Sequence, residues 1–168
     1  MKNYISITLA LLVTNYVSSQ IINLNQFSPP ANSGSNMTIG FNTDDLDNFV
    51  GASIGAFNSE GTCIGLEEIQ NDFFSMAIWG DDTGTPTLDG LIDGEIASFA
   101  ILLLDNRVVQ ISEISNFNGY VTNALVVSNH VTFSGCTNDE FLEFHNQGYT
   151  AEIDNGSCSI SIYNFDIT

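Results

Sequence analysis

Short runs of apolar, β-branched and aromatic residues alternate along this chain with clusters of Gly, Asn, Asp and Ser. No long stretch repeats its apolar residues with the 3.6-residue period of an amphipathic helix, and the pattern is typical of many short strands. The predicted strands span residues 37–41, 50–57, 62–66, 73–79, 95–104, 107–114, 120–133 and 159–167. We therefore expect an all-β fold, an antiparallel β-sandwich with little helix.

Turn signals and composition divide the chain. Asp105-Asn106 lies between two apolar runs and predicts a two-residue hairpin turn, since both residue types tolerate positive φ. The segment 139–145 is expected to form one or two helical turns. The sandwich is predicted to span 20–133, and a small disulfide-closed appendage with a terminal strand is predicted to span 134–168.

The N-terminus has the pattern of a secretory signal peptide over residues 1–19. Lys2 supplies the positive start, and the apolar run 5–13 is too short to span a bilayer. Val17-Ser18-Ser19 predicts cleavage before Gln20. No other apolar run is long enough for a membrane span, so we expect a secreted protein.

The charge balance excludes some partners. The formal net charge is −18, from 20 acidic and two basic residues, and loss of Lys2 with the signal peptide makes it more negative. Such a chain repels the phosphates of nucleic acids and anionic membrane surfaces. One interpretation of the negative charge is that the chain binds divalent cations. The alternative is that the acids simply form a solvated surface. Composition leaves both open.

Three cysteines lie in the expected mature chain, and in an exported protein a pair of cysteines is usually oxidised to a disulfide. Cys136 and Cys158 bracket a polar stretch, and a bond between them would close a loop of about twenty residues, worth about 3 kcal/mol in chain entropy. A redox pair is usually closer in sequence, as in C-x-x-C. We expect a structural disulfide, with Cys63 left as a buried thiol on a strand.

The stretch from Trp79 to Glu95 is rich in acids within Gly- and Pro-containing turns. Calcium takes six to eight oxygen ligands, which such a loop can supply, although the spacing is not that of an EF-hand. The alternative is a set of solvated turns. Trp79 is expected in the core, and the alternative is a sugar-stacking platform. The candidate calcium ligands are Asp81, Asp82, Asp89, Asp93 and Glu95.

Sequence motifs of catalysis are lacking. His130 and His145 have no metal-ligand partner at useful spacing, and neither H-E-x-x-H nor G-x-S-x-G occurs. Paired carboxylates could hydrolyse a glycoside, but among 20 acids some pair always looks suitable. We expect no enzyme. Asn36 and Asn155 match the N-glycosylation pattern, which matters only in a eukaryotic host.

The stretch from Gly135 to Cys158, "GCTNDEFLEFHNQGYTAEIDNGSC", resembles the GCTD…DDGSC-type motif of secreted and surface proteins of marine Bacteroidetes and large algal viruses. Asn138 and Asn155 stand where that motif has Asp, and Phe144-His145 replaces its Asn-Tyr. The segments "IGAFNSEGTCIG" and "AIWGDDTGTPTLDGLIDGE" are similar to a β-sandwich module found beside it. The matching positions are Gly135, Cys136, Thr137, Ala151, Asp154, Gly156, Ser157 and Cys158.

The resemblance implies a cell-surface or virion-surface location and a role in adhesion or display. We expect a non-enzymatic module, with calcium as a candidate stabiliser, that binds a surface glycan or protein. The alternative is a secreted hydrolase acting on polysaccharide, or its carbohydrate-binding module. The apolar stretch 159–167 is expected to pair within the sandwich, and the alternative is donation to a neighbouring subunit.

Overall fold

The computed structural model describes residues 20–164, so the predicted signal peptide and residues 165–168 lie outside it. Nine strands, one short α-helix and three 3-10 turns follow one another in this part of the chain. The 3-10 turns are Leu24–Gln26, Asp44–Phe49 and Ile162–Asn164, and α1 is Leu142–Asn146. The strands are β1 Asn36–Phe41, β2 Ser53–Phe57, β3 Cys63–Glu68, β4 Phe74–Trp79, β5 Ser98–Leu102, β6 Val108–Ile114, β7 Leu125–Ser128, β8 Val131–Gly135 and β9 Ile153–Asp154.

The strands form two sheets that enclose one core. The smaller sheet has the order β4-β1-β7, and the larger has the order β3-β2-β5-β6-β8-β9. Most neighbours are antiparallel, but β1–β7 and β8–β9 are parallel. The predicted all-β sandwich with a disulfide-closed C-terminal appendage is confirmed.

The core is built from alternate residues of both sheets, because successive side chains of a strand point to opposite faces. Ile39 and Met76 of the smaller sheet share one buried cluster with Ile54 and Ile101 of the larger. All four side chains are fully buried. Burying side chains of this size contributes roughly 1.5–3 kcal/mol each, so the facing sheets stabilise one another.

The outer face of the larger sheet is covered by the N-terminal segment. Ile22 is buried with Phe57, Cys63 and Ala100 in a second apolar cluster. The Gln110 side chain accepts from the Ile22 N–H at 3.1 Å and donates to the Ile22 carbonyl at 2.8 Å. The larger sheet is therefore buried on both faces where this segment crosses it.

One strand prediction is wrong because it joins two strands into one. The predicted strand 120–133 is two strands, because the chain turns at Asn129-His130 and passes from the smaller sheet to the larger. The buried Ser128 hydroxyl donates to the His130 carbonyl at 2.9 Å and so closes this turn. The predicted hairpin at Asp105-Asn106 does connect β5 and β6, with Asn106 at a φ of 68°.

The appendage is held by the Cys136–Cys158 disulfide, with a Cα–Cα distance of 4.9 Å. The expected strand 159–167 is wrong over the described residues 159–164, which lie beside the start of α1 and end in a 3-10 turn. The Leu142 N–H donates to the Ile160 carbonyl, and the Glu143 carboxylate accepts from the Ile160 N–H. These bonds within the appendage take the backbone groups that pairing with the sandwich would need.

Candidate functional site

The acidic stretch between β4 and β5 uses its carboxylates to close turns. Asp81 accepts from the Asp89 N–H at 3.1 Å, and Asp89 accepts from the Asp82 N–H at 3.0 Å. Asp82 in turn accepts from the Gly84 N–H at 2.8 Å. These three side chains therefore act as acceptors for backbone donors, which is the usual role of Asp in turns.

The other two candidate calcium ligands belong to separate turns. Asp93 accepts from both the N–H and the hydroxyl of Thr122, and Glu95 accepts from the Ile92 N–H. Within residues 20–164, no three His, Cys, Asp or Glu side chains are grouped closely enough to hold a metal ion. Calcium binding by the five predicted residues stays a prediction, and it would require these side chains to leave their backbone donors.

The remaining predicted residues are distributed over the fold. Cys63 is a free, buried thiol, as expected, and burial raises its pKa. Asn36 is half-buried on β1, whereas Asn155 is exposed and its side chain accepts from the Ser157 N–H. Of the two glycosylation candidates, Asn155 is thus the accessible one.

The outer face of the smaller sheet is an uncovered surface without charge. None of the residues of β1, β4 and β7 is charged, in a chain with 20 acids. We call this surface the uncharged face. It comprises the outward-pointing residues of the three strands and the residue preceding β4, namely Asn36, Thr38, Gly40, Phe73, Ser75, Ala77, Trp79, Leu125 and Val127.

Trp79 belongs to this face rather than to the core, so its predicted burial in the core is wrong. Phe74, Met76 and Ile78 fill the core side of β4, and alternation points Trp79 outward, where it is half-buried. The reason is register, because Trp79 follows directly on an inward Ile78. Composition alone could not have shown which face Trp79 occupies.

Phe73 fills the space above a glycine at the centre of the uncharged face. A Cβ atom on Gly40 would lie 2.7 Å from the Phe73 Cζ and 3.7 Å from the Val127 Cγ2. Gly40 therefore lets the ring lie directly on β1. Phe73 as a whole residue is nevertheless 57% exposed, beside Leu125 at 68% and Val127 at 44%.

Acidic residues border this face at one end. Asp44, Asp47 and Asp72 line a cavity of about 270 Å³ together with Phe73. The strands themselves contribute only neutral hydroxyl and amide groups between the apolar side chains, at Asn36, Thr38 and Ser75. The combination favours uncharged ligands and disfavours anionic ones.

A second site lies where the appendage meets the sandwich. A cleft of about 380 Å³ is lined by Asp44, Asp45, Phe49, His130, Tyr149 and Glu152, among others. His130 Nδ1 lies 2.8 Å from Asp45 Oδ2, and His130 Nε2 lies 3.3 Å from Glu152 Oε2. We call this the seam cleft.

The charges of the seam cleft shift two pKa values in opposite directions. The hydrogen bond to Asp45 raises the pKa of His130, and the charges of Asp45 and Glu152 add to it. Burial alone would raise the pKa of Asp45, but bonds from Thr43, Val131 and His130 outweigh it and lower that pKa. At mildly acidic pH, the pair is therefore an imidazolium and a carboxylate.

Sequence reasoning missed the seam cleft because its parts are distant along the chain. Asp45 and His130 are separated by 85 positions, and His130 and Glu152 by 22. No spacing signal connects them. The uncharged face did have a signal, namely three short strands without any acid in a strongly acidic chain.

In the part of the chain from residue 20 to residue 164, no helix has the length and apolar character needed to cross a membrane. Comparison of the chain with protein-family models, with curated proteins and with solved structures finds no match in any of the three.

Proposed function

We propose that the protein is a non-enzymatic extracellular adhesion or display module that binds a neutral surface glycan on the uncharged face. The observation that carries the proposal is the contrast between this face and the rest of the molecule. The N-terminal segment covers part of the outer face of the larger sheet, over β2, β3 and β5, whereas the smaller sheet leaves Phe73, Leu125 and Val127 open to solvent. Exposed apolar surface of this kind marks interaction sites.

The chemistry of the face supports a glycan as ligand. Sugar rings have apolar C–H faces and hydroxyl edges, which match aromatic rings interspersed with neutral hydroxyl and amide groups. The exposed Phe73 and the half-buried Trp79 supply the rings, and Thr38, Ser75 and Asn36 supply the polar groups. A second copy of this chain is a poorer occupant, because two strongly acidic molecules repel each other.

An extracellular location is supported by the signal-peptide pattern of residues 1–19 and by the Cys136–Cys158 disulfide, which persists in oxidising compartments. The resemblance of residues 135–158 to the GCTD…DDGSC-type motif supports a location on a cell or virion surface. Calcium is part of the proposal only as a stabiliser of the acidic turns. A melting temperature that is the same in calcium and in chelator would assign those carboxylates to turn closure alone.

The test is binding of the purified protein to immobilised neutral and sulfated polysaccharides. We expect binding to neutral chains only, with about a five- to hundredfold loss in Phe73→Ala and Trp79→Ala, since the stacking of a ring on an aromatic side chain is worth roughly 1–3 kcal/mol in the case of nucleic-acid bases. Leu104→Ser is the matched control, because Leu104 is 83% exposed at the β5–β6 turn. Equal binding of the wild type and the Phe73 variant would refute the proposal.

A polysaccharide hydrolase is the second candidate, and one observation favours it. His130 Nδ1 is held by Asp45, its Nε2 contacts Glu152, and His130 and Glu152 both line the seam cleft, so an oriented imidazole and a carboxylate that could transfer protons border one cleft. Release of reducing ends from polysaccharide by the wild type, abolished in His130→Gln, would favour the hydrolase. Binding without any such release supports the adhesion module.

A further inference from the structure

We infer that His130 is a pH-dependent clamp, which ties the appendage to the sandwich when doubly protonated and releases Glu152 when neutral. The two carboxylates that it contacts come from different parts of the fold. Asp45 lies on the 3-10 turn between β1 and β2, and Glu152 lies in the appendage just before β9. One imidazole ring thus joins both sides of the seam cleft.

Proton counting shows why the clamp depends on pH. An ionised carboxylate only accepts hydrogen bonds, and a neutral imidazole has a single N–H donor. The contacts at 2.8 Å to Asp45 and 3.3 Å to Glu152 can both be hydrogen bonds only when both ring nitrogens carry a proton. In the neutral ring, one nitrogen lone pair must face a carboxylate, and that contact is lost.

The contact to Glu152 is the one that breaks. Asp45 Oδ2 also accepts from the Val131 N–H at 2.9 Å and from the Thr43 hydroxyl at 2.7 Å, so it is fixed independently of His130. The His130 backbone is fixed as well, because its N–H donates to the Ser115 hydroxyl at 3.0 Å. The Glu152 side chain is 46% exposed and can turn to solvent.

The other charged groups around His130 favour the protonated ring. Asp44 lines the cleft from the 3-10 turn, and Tyr149 lines it from the appendage. Burial raises the pKa of Tyr149, so this hydroxyl stays neutral through the relevant range. The uncharged Ser115, which directly follows the adjoining strand β6, contacts the turn, and β6 carries Glu113 opposite Thr132. Apart from His130 itself, every charged residue among those that line the seam cleft is therefore an acid.

The sign of the effect follows from the raised pKa of His130. The clamp is fully formed below the ordinary histidine pKa of about 6.5, and it is lost as pH rises through the higher value in the folded protein. Release does not detach the appendage. The disulfide and the Glu152 N–H bond to the Phe133 carbonyl at 3.0 Å remain, so the change is local to the cleft.

The test is amide hydrogen exchange of residues 149–155 at pH 5 and pH 9, corrected for intrinsic rates, in the intact protein. We expect about two- to fivefold lower protection at pH 9, as befits a half-exposed ion pair. His130→Gln should show low protection at both pH values. Glu152→Gln should remove the pH dependence and keep protection, because its amide can donate to the neutral ring.

His145→Gln is the matched control, since His145 is the second histidine and its Nε2 contacts only the Asp139 carbonyl in the appendage. This variant should retain the full pH dependence. A wild type with equal protection at both pH values would overturn the inference, and so would a pH dependence that survives in His130→Gln. Neither result bears on glycan binding by the uncharged face.

Discussion

The Tyr149 hydroxyl donates to the Ser134 carbonyl at 3.0 Å, while its ring packs against Phe133 with the ring centroids 5.5 Å apart. Tyr149 belongs to the appendage, and Ser134 and Phe133 belong to β8. One side chain therefore contributes both a hydrogen bond and an aromatic contact to the junction between the two parts.

Replacing Tyr149 and Tyr120 by Phe should change the free energy of unfolding differently, because the Tyr149 hydroxyl has a hydrogen-bond partner and the Tyr120 hydroxyl has none among the described residues. Tyr149→Phe should lower the free energy of unfolding by about 1 kcal/mol, since it leaves the Ser134 carbonyl without its donor. The Tyr120 hydroxyl is buried and has no partner among residues 20–164. Tyr120→Phe should therefore be neutral or stabilising. Chemical denaturation of both variants measures the difference, and a destabilised Tyr120→Phe would contradict this account.

Residues 159–164, the described part of the C-terminal tail, should stay bound to Glu143 even at strongly acidic pH. The Ser159 hydroxyl and the N–H groups of Ser159 and Ile160 donate to it, and the Ser159 bond is the main reason that its pKa falls to about 2. Its contribution is present above the ordinary pKa of 4.5 and is lost as pH falls through about 2.

Carboxyl chemical shifts followed by NMR would give this pKa directly. In Glu143→Gln the Ser159 and Ile160 amides should exchange faster at neutral pH, and the exposed Glu140→Gln is the control. A Glu143 that titrates near 4.5 would mean that the tail is not held by this side chain.

Removal of the disulfide should cost about 3 kcal/mol of stability, as expected for a loop of this length. The variant is Cys136→Ala with Cys158→Ala, measured by thermal or chemical unfolding.

Cys63 should resist alkylation in the native state of both the wild type and this variant, because it is 3% exposed and burial raises its pKa. Rapid native labelling of Cys63 would show that the N-terminal cover opens readily.

Two glycine variants should distinguish an effect on ligand binding by the uncharged face from an effect on the stability of the fold. Gly40→Ala would push the Phe73 ring away, and since that ring is the free end of an exposed side chain, stability should change by only about 0.5 kcal/mol. Glycan binding should fall nonetheless. Gly90→Ala would place its Cβ against the backbone of Gly80 and Asp81, so it should destabilise by several kcal/mol. Melting temperatures and binding assays on both variants test this.

Local pattern predicted the strands, because alternation and turn residues are properties of neighbouring positions. The hairpin at Asp105-Asn106 is of this kind. Sheet membership was not predictable in the same way, since the turn at Asn129-His130 moves the chain between sheets within an apolar stretch that reads as one strand. The difference is decided by Ser128, whose buried hydroxyl closes the turn.

The sites depended on contacts that are distant along the chain. The acids of 81–95 were visible as a group, but the sequence did not show that each is paired with a backbone donor, and the donor of Asp93, Thr122, is brought to it only by the fold. The tail 159–164 has the composition of a strand, yet Glu143 binds its first two N–H groups. The relation between Asp45, His130 and Glu152 has no counterpart in local sequence.

The disulfide also determines the path that a mechanical force would take through the molecule. Tension applied to the chain after Cys158 passes through the sulfur atoms to Cys136 and enters the end of β8 at once. The two cysteines are 22 positions apart, so the bond withholds a length of chain of about 75 Å from extension. An adhesion module built in this way would transmit force to its sheet without first extending the chain between the two cysteines.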